Sequence, residues 1–246
     1  MANPLYDALF GRHSGQATVF LQMQDGTVLT HGQFLQQAAQ YAHVLTNFGL
    51  TPGDRVAVQI EKSPQSLAIY AACVQAGLIF LPLNTAYTAS ELSYFVEDSG
   101  ARVLICDPKS QESLTPLAQT TGAQLETMDA LGSGSFAQKA APQPTEFSTV
   151  PRKAEDLAAF LYTSGTTGKP KGVVLSNRNV IETSKSSSEF DDLRRTDDIL
   201  AYLPMAWVGD FIFSVGQAMW TGFCTNCPES ADTMHTDLRE IGPTYY

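Results

Sequence analysis

The sequence predicts an α/β protein whose mostly parallel sheets are covered by helices. Short apolar runs typical of buried strands alternate with amphipathic helical segments through the first part of the chain. The connections between them are short, and this alternation is typical of parallel strands joined by helical crossovers. Hydrophobic residues make up 43% of the 246 residues and charged residues 16%, which suits a globular protein with a sizeable core.

Two capping boxes mark helix starts in the first part of the chain. Thr30 with Gln33 opens a helix that Gly49 ends, and Thr88 with Glu91 opens a second one. The predicted elements here are a helix over 30–49, a strand over 55–60, a helix over about 64–76, a strand over 78–83, a helix ending before residue 100 and a strand over 102–106.

The composition shifts over residues 132–153, where Gly, Ser, Ala, Gln and Pro dominate and hydrophobic periodicity is lost. We interpret this stretch as a surface linker. It divides the chain into a first α/β subdomain over 1–153 and an incomplete second one over 154–246. The second part is predicted to hold strands over 157–162, 173–176 and 199–203, near 223 and over 244–246, with helices from about 178, over 211–219 and near 237.

Charge and hydropathy exclude several classes of partner. The net charge of −10 repels nucleic-acid backbones and anionic membrane surfaces, so neither is expected as a partner. No basic n-region with an apolar h-region opens the chain. The most apolar stretch, 67–83, is interrupted by Gln75, Gly77 and Pro82 and is too short to span a bilayer. We therefore expect a cytoplasmic protein without an integral membrane segment.

Cysteine and histidine patterns give no metal site. Cys224 and Cys227 have the spacing of a zinc knuckle or redox pair, but no second pair accompanies them, so we interpret them as structural. The four histidines are scattered without catalytic or metal-binding spacing. Asp210 is interpreted as a first-turn carboxylate favoured by a helix dipole.

The most informative segment is 162–172, Tyr-Thr-Ser-Gly-Thr-Thr-Gly-Lys-Pro-Lys-Gly, which lies between two apolar runs. Its glycines allow the backbone to approach a ligand closely, and successive N–H groups in such a turn form an anion-binding nest. Hydroxyl groups and two lysines add further donors and positive charge. The combination predicts a site for a polyphosphate, and therefore for a nucleotide.

The segment is not a Walker A loop. Gly165 and Gly168 are too close together, and Pro170 stands where a Ser or Thr would bind Mg²⁺. The residues after Gly172 are typical of a strand, whereas a Walker A loop opens a helix. The sequence therefore predicts a strand, a phosphate-binding loop and a second strand.

Segment 162–172 resembles the signature phosphate loop of the acyl-adenylate-forming enzymes, which include acyl-CoA synthetases, peptide-synthetase adenylation domains and luciferases. The resemblance extends along the chain. Residues 61–87 are similar to malonyl-CoA ligases, and 201–207 to the next core motif, in which an aromatic residue or His after Leu-Pro helps to line the acyl pocket. The part after Gly172 is closer to fatty acyl-CoA synthetases, so the acid is either malonate-like or a fatty acid.

The resemblance implies the N-terminal portion of the adenylate-forming fold and a two-step reaction. A carboxylate attacks the α-phosphate of ATP, and the acyl group then passes from the adenylate to coenzyme A. ATP, Mg²⁺ and coenzyme A are the expected cofactors and co-substrates, and Trp207 is expected in the acyl pocket. The residues expected to bind the ATP phosphates are Thr163, Ser164, Gly165, Thr166, Thr167, Gly168, Lys169 and Lys171.

Several motifs of that family are not found in the sequence: the adenine-binding motif with its Mg²⁺-binding glutamate, the ribose-binding Thr-Gly-Asp and the adenylation lysine. No complete catalytic set and no metal ligand are therefore predicted. We expect the first half of an acyl-CoA synthetase of fatty acid metabolism, inactive alone. The alternative is a non-catalytic fragment or a split-enzyme subunit that binds nucleotide or a partner chain supplying the missing C-terminal half.

Overall fold

The computed structural model describes residues 2–163, 170–230 and 232–246. Its strands are β1 (Val19–Met23), β2 (Val28–Thr30), β3 (Arg55–Gln59), β4 (Ile79–Pro82), β5 (Val103–Cys106), β6 (Gln124–Thr127), β7 (Leu157–Thr163), β8 (Lys171–Ser176), β9 (Asp198–Leu200) and β10 (Cys224–Cys227). Its α-helices are α1 (His31–Asn47), α2 (Pro64–Ala76), α3 (Ala89–Ser99), α4 (Gln111–Thr121), α5 (Ser135–Ala140), α6 (Asn177–Phe190), α7 (Val208–Asp210), α8 (Ala218–Thr221) and α9 (Met234–Ile241). A π-helical stretch, Phe211–Gln217, joins α7 to α8, and a π-helical turn, Tyr6–Phe10, lies near the start of the chain.

The strands form two sheets. The larger one has the order β6-β5-β3-β4-β7-β8 and is parallel except for the β7–β8 hairpin. The smaller one has the order β2-β1-β10-β9, with β1, β10 and β9 parallel and β2 antiparallel to β1. The predicted α/β class with mostly parallel sheets is confirmed. Because β7 pairs with β4, the hairpin extends the larger sheet, and the division of the chain at residue 153 stays a prediction.

Local sequence signals placed the helix starts correctly. In both predicted capping boxes the Thr side chain accepts a hydrogen bond from the third helical N–H, and the Gln33 or Glu91 side chain accepts one from the Thr backbone N–H. Helix α2 has the predicted bounds, with Ser63 as its N-cap and Gly77 in the left-handed conformation after its last residue.

Two expectations were wrong. The stretch 132–153 is not a linker without secondary structure, because α5 lies within it and buries Phe136 completely. The Phe136 ring lies 5.3 Å from the Tyr41 ring of α1. The predicted strand over 244–246 is reduced to one parallel bridge between Ile199 and Tyr245, and Tyr246 is exposed. A six-residue helix is too short to give a periodic signal, whereas the β-branched and aromatic residues at 244–246 favour a strand locally even where pairing is limited to one bridge.

Helix α2 lies at the centre of the main hydrophobic core. All of its residues except Gln65 are buried, so it is enclosed on every face. Its Tyr70 ring contacts Phe10 near the start of the chain, Phe80 on β4 and Phe211 after α7. One side chain therefore joins three parts of the chain that are distant in sequence.

A Tyr70→Phe variant, which keeps the ring and removes the hydroxyl, tests this packing. Among the described residues, the Tyr70 hydroxyl is buried without a hydrogen-bond partner. Tyr70→Phe should therefore leave the free energy of unfolding unchanged or raise it by up to about 1 kcal/mol. The matched control is Tyr162→Phe, which removes a 2.6 Å hydrogen bond to Asp98 and should lower that free energy by roughly 1–2 kcal/mol. Urea denaturation followed by circular dichroism gives both values, and a larger loss for Tyr70→Phe contradicts the packing described.

Two buried histidines stack where α1 meets the segment before β1. The rings of His13 and His31 lie 4.4 Å apart, and both side chains are buried. The His31 Nδ1 lies 3.1 Å from the Thr18 carbonyl oxygen, whereas its Nε2 has no partner among the described residues. Burial, with His13 alongside, lowers the pKa of His31 to about 4.

This depressed pKa predicts acid sensitivity. The folded protein binds the His31 proton more weakly than the unfolded chain does, so stability falls as the pH drops from about 6.5 towards 4. Between pH 7 and pH 5 the loss attributable to His31 is about 2 kcal/mol. His31→Asn should flatten the pH dependence of urea unfolding over that range, and equal slopes for the two proteins would show that His31 is not responsible.

Candidate functional site

A cleft of about 520 Å³ opens at the carboxyl ends of strands from both sheets. Its walls include Ile60–Lys62 after β3, Leu83–Thr85 after β4, Ala201–Met205 after β9 and Pro228–Ser230 after β10. This edge is where open parallel sheets bind their ligands. The fold therefore brings four chain segments together at the position where a ligand site is expected.

The predicted phosphate segment lies on the β7–β8 hairpin. Thr163 ends β7 and is paired with Lys171, which begins β8, and both side chains are exposed. The other predicted phosphate-binding residues, Ser164 to Lys169, lie outside the described residues. The structure thus places two of the predicted residues directly opposite each other at the opening of the hairpin.

Strand register relates this hairpin to the cleft. Phe80 of β4 is paired in parallel with Ala159 of β7. Thr163, four residues beyond that pair, ends β7, and Asn84, also four residues beyond it, follows the end of β4, so both lie at the carboxyl edge of the sheet. Since Asn84 is a wall residue of the cleft, the phosphate segment leaves the sheet at the edge where the cleft opens.

Helix α3 braces the hairpin on one side. The Tyr94 hydroxyl donates a 3.0 Å hydrogen bond to the Pro170 carbonyl, and the Tyr162 hydroxyl donates one of 2.6 Å to Asp98. The Phe95 and Tyr162 rings lie 4.5 Å apart. Burial raises the pKa of Tyr162, and the Asp98 carboxylate beside it adds to the rise. Tyr94 and Asp98 are four residues apart on one helix face, which is the sequence signal that could have identified this brace.

A buried ion pair forms part of the cleft. The Lys62 ammonium donates to the Asp210 carboxylate and to the carbonyl of Leu203, and the Ser214 hydroxyl donates a 2.6 Å hydrogen bond to Asp210. The side chains of Lys62 and Asp210 are only 9% and 3% exposed. Burial raises the pKa of Asp210, and the adjacent ammonium opposes that rise.

Asp210 therefore takes part in a tertiary contact that the sequence did not indicate. It lies in the first turn of α7, as expected, but it is also the buried partner of Lys62, which follows β3 of the larger sheet. The two residues are 148 positions apart, so no local pattern could join them.

Trp207 is more than half exposed, at 57%. Among the residues after β9, Met205 is the last that lines the cleft. Trp207 lies two residues further along the chain and is not one of the wall residues. Its place in an acyl pocket stays a prediction.

The two cysteines of the C-x-x-C pattern are free thiols on β10. Positions three apart on a strand point to opposite faces of the sheet, which is a geometry that does not bring two ligands onto one metal. Burial raises the pKa of Cys227 to about 12.

No helix within the described ranges is long and apolar enough to cross a bilayer.

The fold and the cleft define a class of protein, an α/β protein with mostly parallel sheets and a cleft at their carboxyl edge. The sequence matches the AMP-binding enzyme family over residues 10–246. The chain belongs to that family.

Two curated relatives and one solved structure illustrate the likeness. The long-chain-fatty-acid–CoA ligase FadD13 of Mycobacterium tuberculosis is 30% identical over 78% of this chain and 38% of its own length. The fatty acid–[acyl-carrier-protein] ligase ScoC of Streptomyces coeruleorubidus is 35% identical over 75% of this chain and 36% of its own. The crystal structure of ATP-bound MatB from Rhodopseudomonas palustris superposes with a TM-score of 0.87 at 32% identity, covering 97% of this chain and 48% of that one. The chain thus spans less than half the length of each.

The ion pair predicts a non-additive mutational effect. Lys62→Met leaves a buried carboxylate uncompensated and should lower the free energy of unfolding by about 3–5 kcal/mol. Asp210→Asn should also destabilise, but the double variant should lose less than the sum of the two single losses. Urea unfolding of the four proteins measures the coupling.

The matched control is the Lys139–Glu126 pair, in which the lysine is 47% exposed. Its cycle should give a smaller coupling energy because water already screens the lysine. Additive losses at Lys62 and Asp210 would contradict a coupled buried pair.

Proposed function

We propose that this chain is part of an ATP-dependent acyl-CoA synthetase. In that reaction a carboxylic acid is activated as its adenylate with release of pyrophosphate, and the acyl group then passes to the thiol of coenzyme A with release of AMP. The observation that carries the proposal is the β7–β8 hairpin, which exposes Thr163 and Lys171 at the carboxyl end of β7, the neighbour of β4, whose following residue Asn84 lines the cleft. Family membership and the names of the relatives support it.

The donors of the hairpin fit a nucleotide polyphosphate. Both side chains at its opening are exposed, and within the described part of the chain Lys171 forms no ion pair that would neutralise it. An ammonium and a hydroxyl group there stabilise charge that develops on the phosphates during attack. Together with the predicted donors Ser164 to Lys169, they would hold the β- and γ-phosphates of ATP. Bound Mg²⁺ would supply further neutralisation of the phosphate charge.

The cleft wall favours a monocarboxylic acid over a dicarboxylate. Aliphatic side chains, among them Ile60, Leu83 and Leu203, form much of the wall. Glu229 and Asp232 add negative charge to it, whereas the wall residue Lys62 is already paired with Asp210. A second carboxylate on the substrate would meet repulsion there, so we infer a fatty acid rather than a malonate-like acid.

We further propose that turnover requires groups outside these 246 residues, either from continuing chain or from a partner chain that supplies the complementary half. The support is that the relatives are more than twice as long as the part that this chain matches. Use of ATP and coenzyme A supports a cytoplasmic location.

Binding of Mg·ATP tests the proposal directly. Lys171→Met should raise the Kd at least tenfold, because it removes an ammonium from the phosphate site. The matched control is Lys185→Met, which removes an exposed lysine on α6 and should change the Kd less than about twofold. Isothermal titration calorimetry gives both values. Absence of binding by the unmutated chain, or equal effects of the two variants, would contradict a phosphate site at this hairpin.

A further inference from the structure

We propose that Lys62 and Asp210 are positioning residues that hold segment 203–210 at the mouth of the cleft and thereby set where Trp207 stands. The proposal deepens the proposed function and rests on it in one respect, namely that the cleft receives the acid substrate.

The first support is the connectivity of the Lys62 ammonium. It binds the Leu203 carbonyl at the start of the segment and the Asp210 carboxylate at its end. One cation therefore closes a ring of seven peptide units in which Trp207 lies near the middle. Removal of either contact would free one end of the segment.

The second support is that the pair joins the two sheets. Lys62 follows β3 of the larger sheet. Asp210 accepts a 2.6 Å hydrogen bond from the Ser214 hydroxyl, and the Ser214 carbonyl accepts one of 3.1 Å from Thr225 on β10 of the smaller sheet. Both sheets contribute walls to the cleft, so the pair also fixes the distance between those walls.

The third support is the weak alternative anchoring of the segment. Residues 203–207, which precede α7, contain no helix or strand, and the backbone hydrogen bonds of Trp207 are local, to the Pro204 carbonyl and from the N–H groups of Asp210 and Phe211. The Trp207 side chain is 57% exposed, so packing alone does not fix it. A buried ion pair has defined geometry, and in some proteins such pairs contribute to conformational specificity rather than to stability.

Tryptophan fluorescence provides the test, since the chain has only Trp207 and Trp220. In a Trp220→Phe background, acrylamide quenching reports the freedom of Trp207 alone. Asp210→Asn keeps the shape of the side chain, and Ser214→Ala weakens its support without removing the charge. The control, Glu126→Gln, disturbs a buried carboxylate of the Lys139 pair remote in sequence from segment 203–210. Quenching of all proteins is measured about 20 °C or more below their melting temperatures, so that global unfolding does not contribute.

The quenching constant of Trp207 should rise about twofold in Asp210→Asn and less in Ser214→Ala, and should not change in Glu126→Gln. The Kd of octanoate should rise at least fivefold in Asp210→Asn, whereas the Kd of Mg·ATP should remain within twofold. Equal quenching constants in Asp210→Asn and the unmutated background would overturn the positioning role, even if the variant is less stable. If the unmutated chain binds neither Mg·ATP nor octanoate, the proposed function fails, and the quenching comparison alone still decides whether the pair positions Trp207.

Discussion

The burial of helix α2, in which only Gln65 is partly accessible, is the constraint on which the rest of the structure depends. A helix with apolar residues around most of its circumference has to be enclosed by other elements, and α2 is enclosed by α1, β4 and the segments that carry Phe10 and Phe211. Elements of both sheets therefore pack into one hydrophobic core. The carboxyl ends of β3, β4, β9 and β10 consequently meet at one cleft. The position of the candidate site therefore depends on the packing of the two sheets into this core.

The pairing of charged side chains beside that cleft is a consequence of the same burial. Lys62 lies in the short connection between β3 and α2, and its side chain is only 9% exposed. An ammonium in such a position needs a partner, because an unpaired buried charge is strongly destabilising. Asp210 of α7 is that partner, and the ion pair therefore connects the cleft residue Lys62 to the buried residues around Asp210. The β7–β8 hairpin differs, since its Thr163 and Lys171 are exposed to solvent, where a ligand can reach them.

The sequence predicted those parts of the structure that local chemistry determines. The capping boxes at Thr30 and Thr88, the bounds of α2 and the strand on each side of the phosphate segment depend on residues close together in the chain. The helix around Phe136 was missed because six residues give no clear periodicity. The Lys62–Asp210 pair and the stacked His13 and His31 were missed because each contact depends on tertiary packing, which one sequence does not reveal. The roles of the predicted phosphate-binding residues and of Trp207 stay predictions.

The central claim is that the β7–β8 hairpin binds the phosphates of a nucleotide at the edge of the larger sheet. The most direct measurement is an NMR titration of isotope-labelled protein with Mg·ATP, read from the backbone amide resonances. The largest shifts should occur at Thr163, Lys171 and Gly172, with smaller ones at Tyr94, whose hydroxyl holds Pro170. Resonances that do not move at saturating nucleotide, or that move most at Glu229 and Ser230 in the acidic wall of the cleft, would contradict the account.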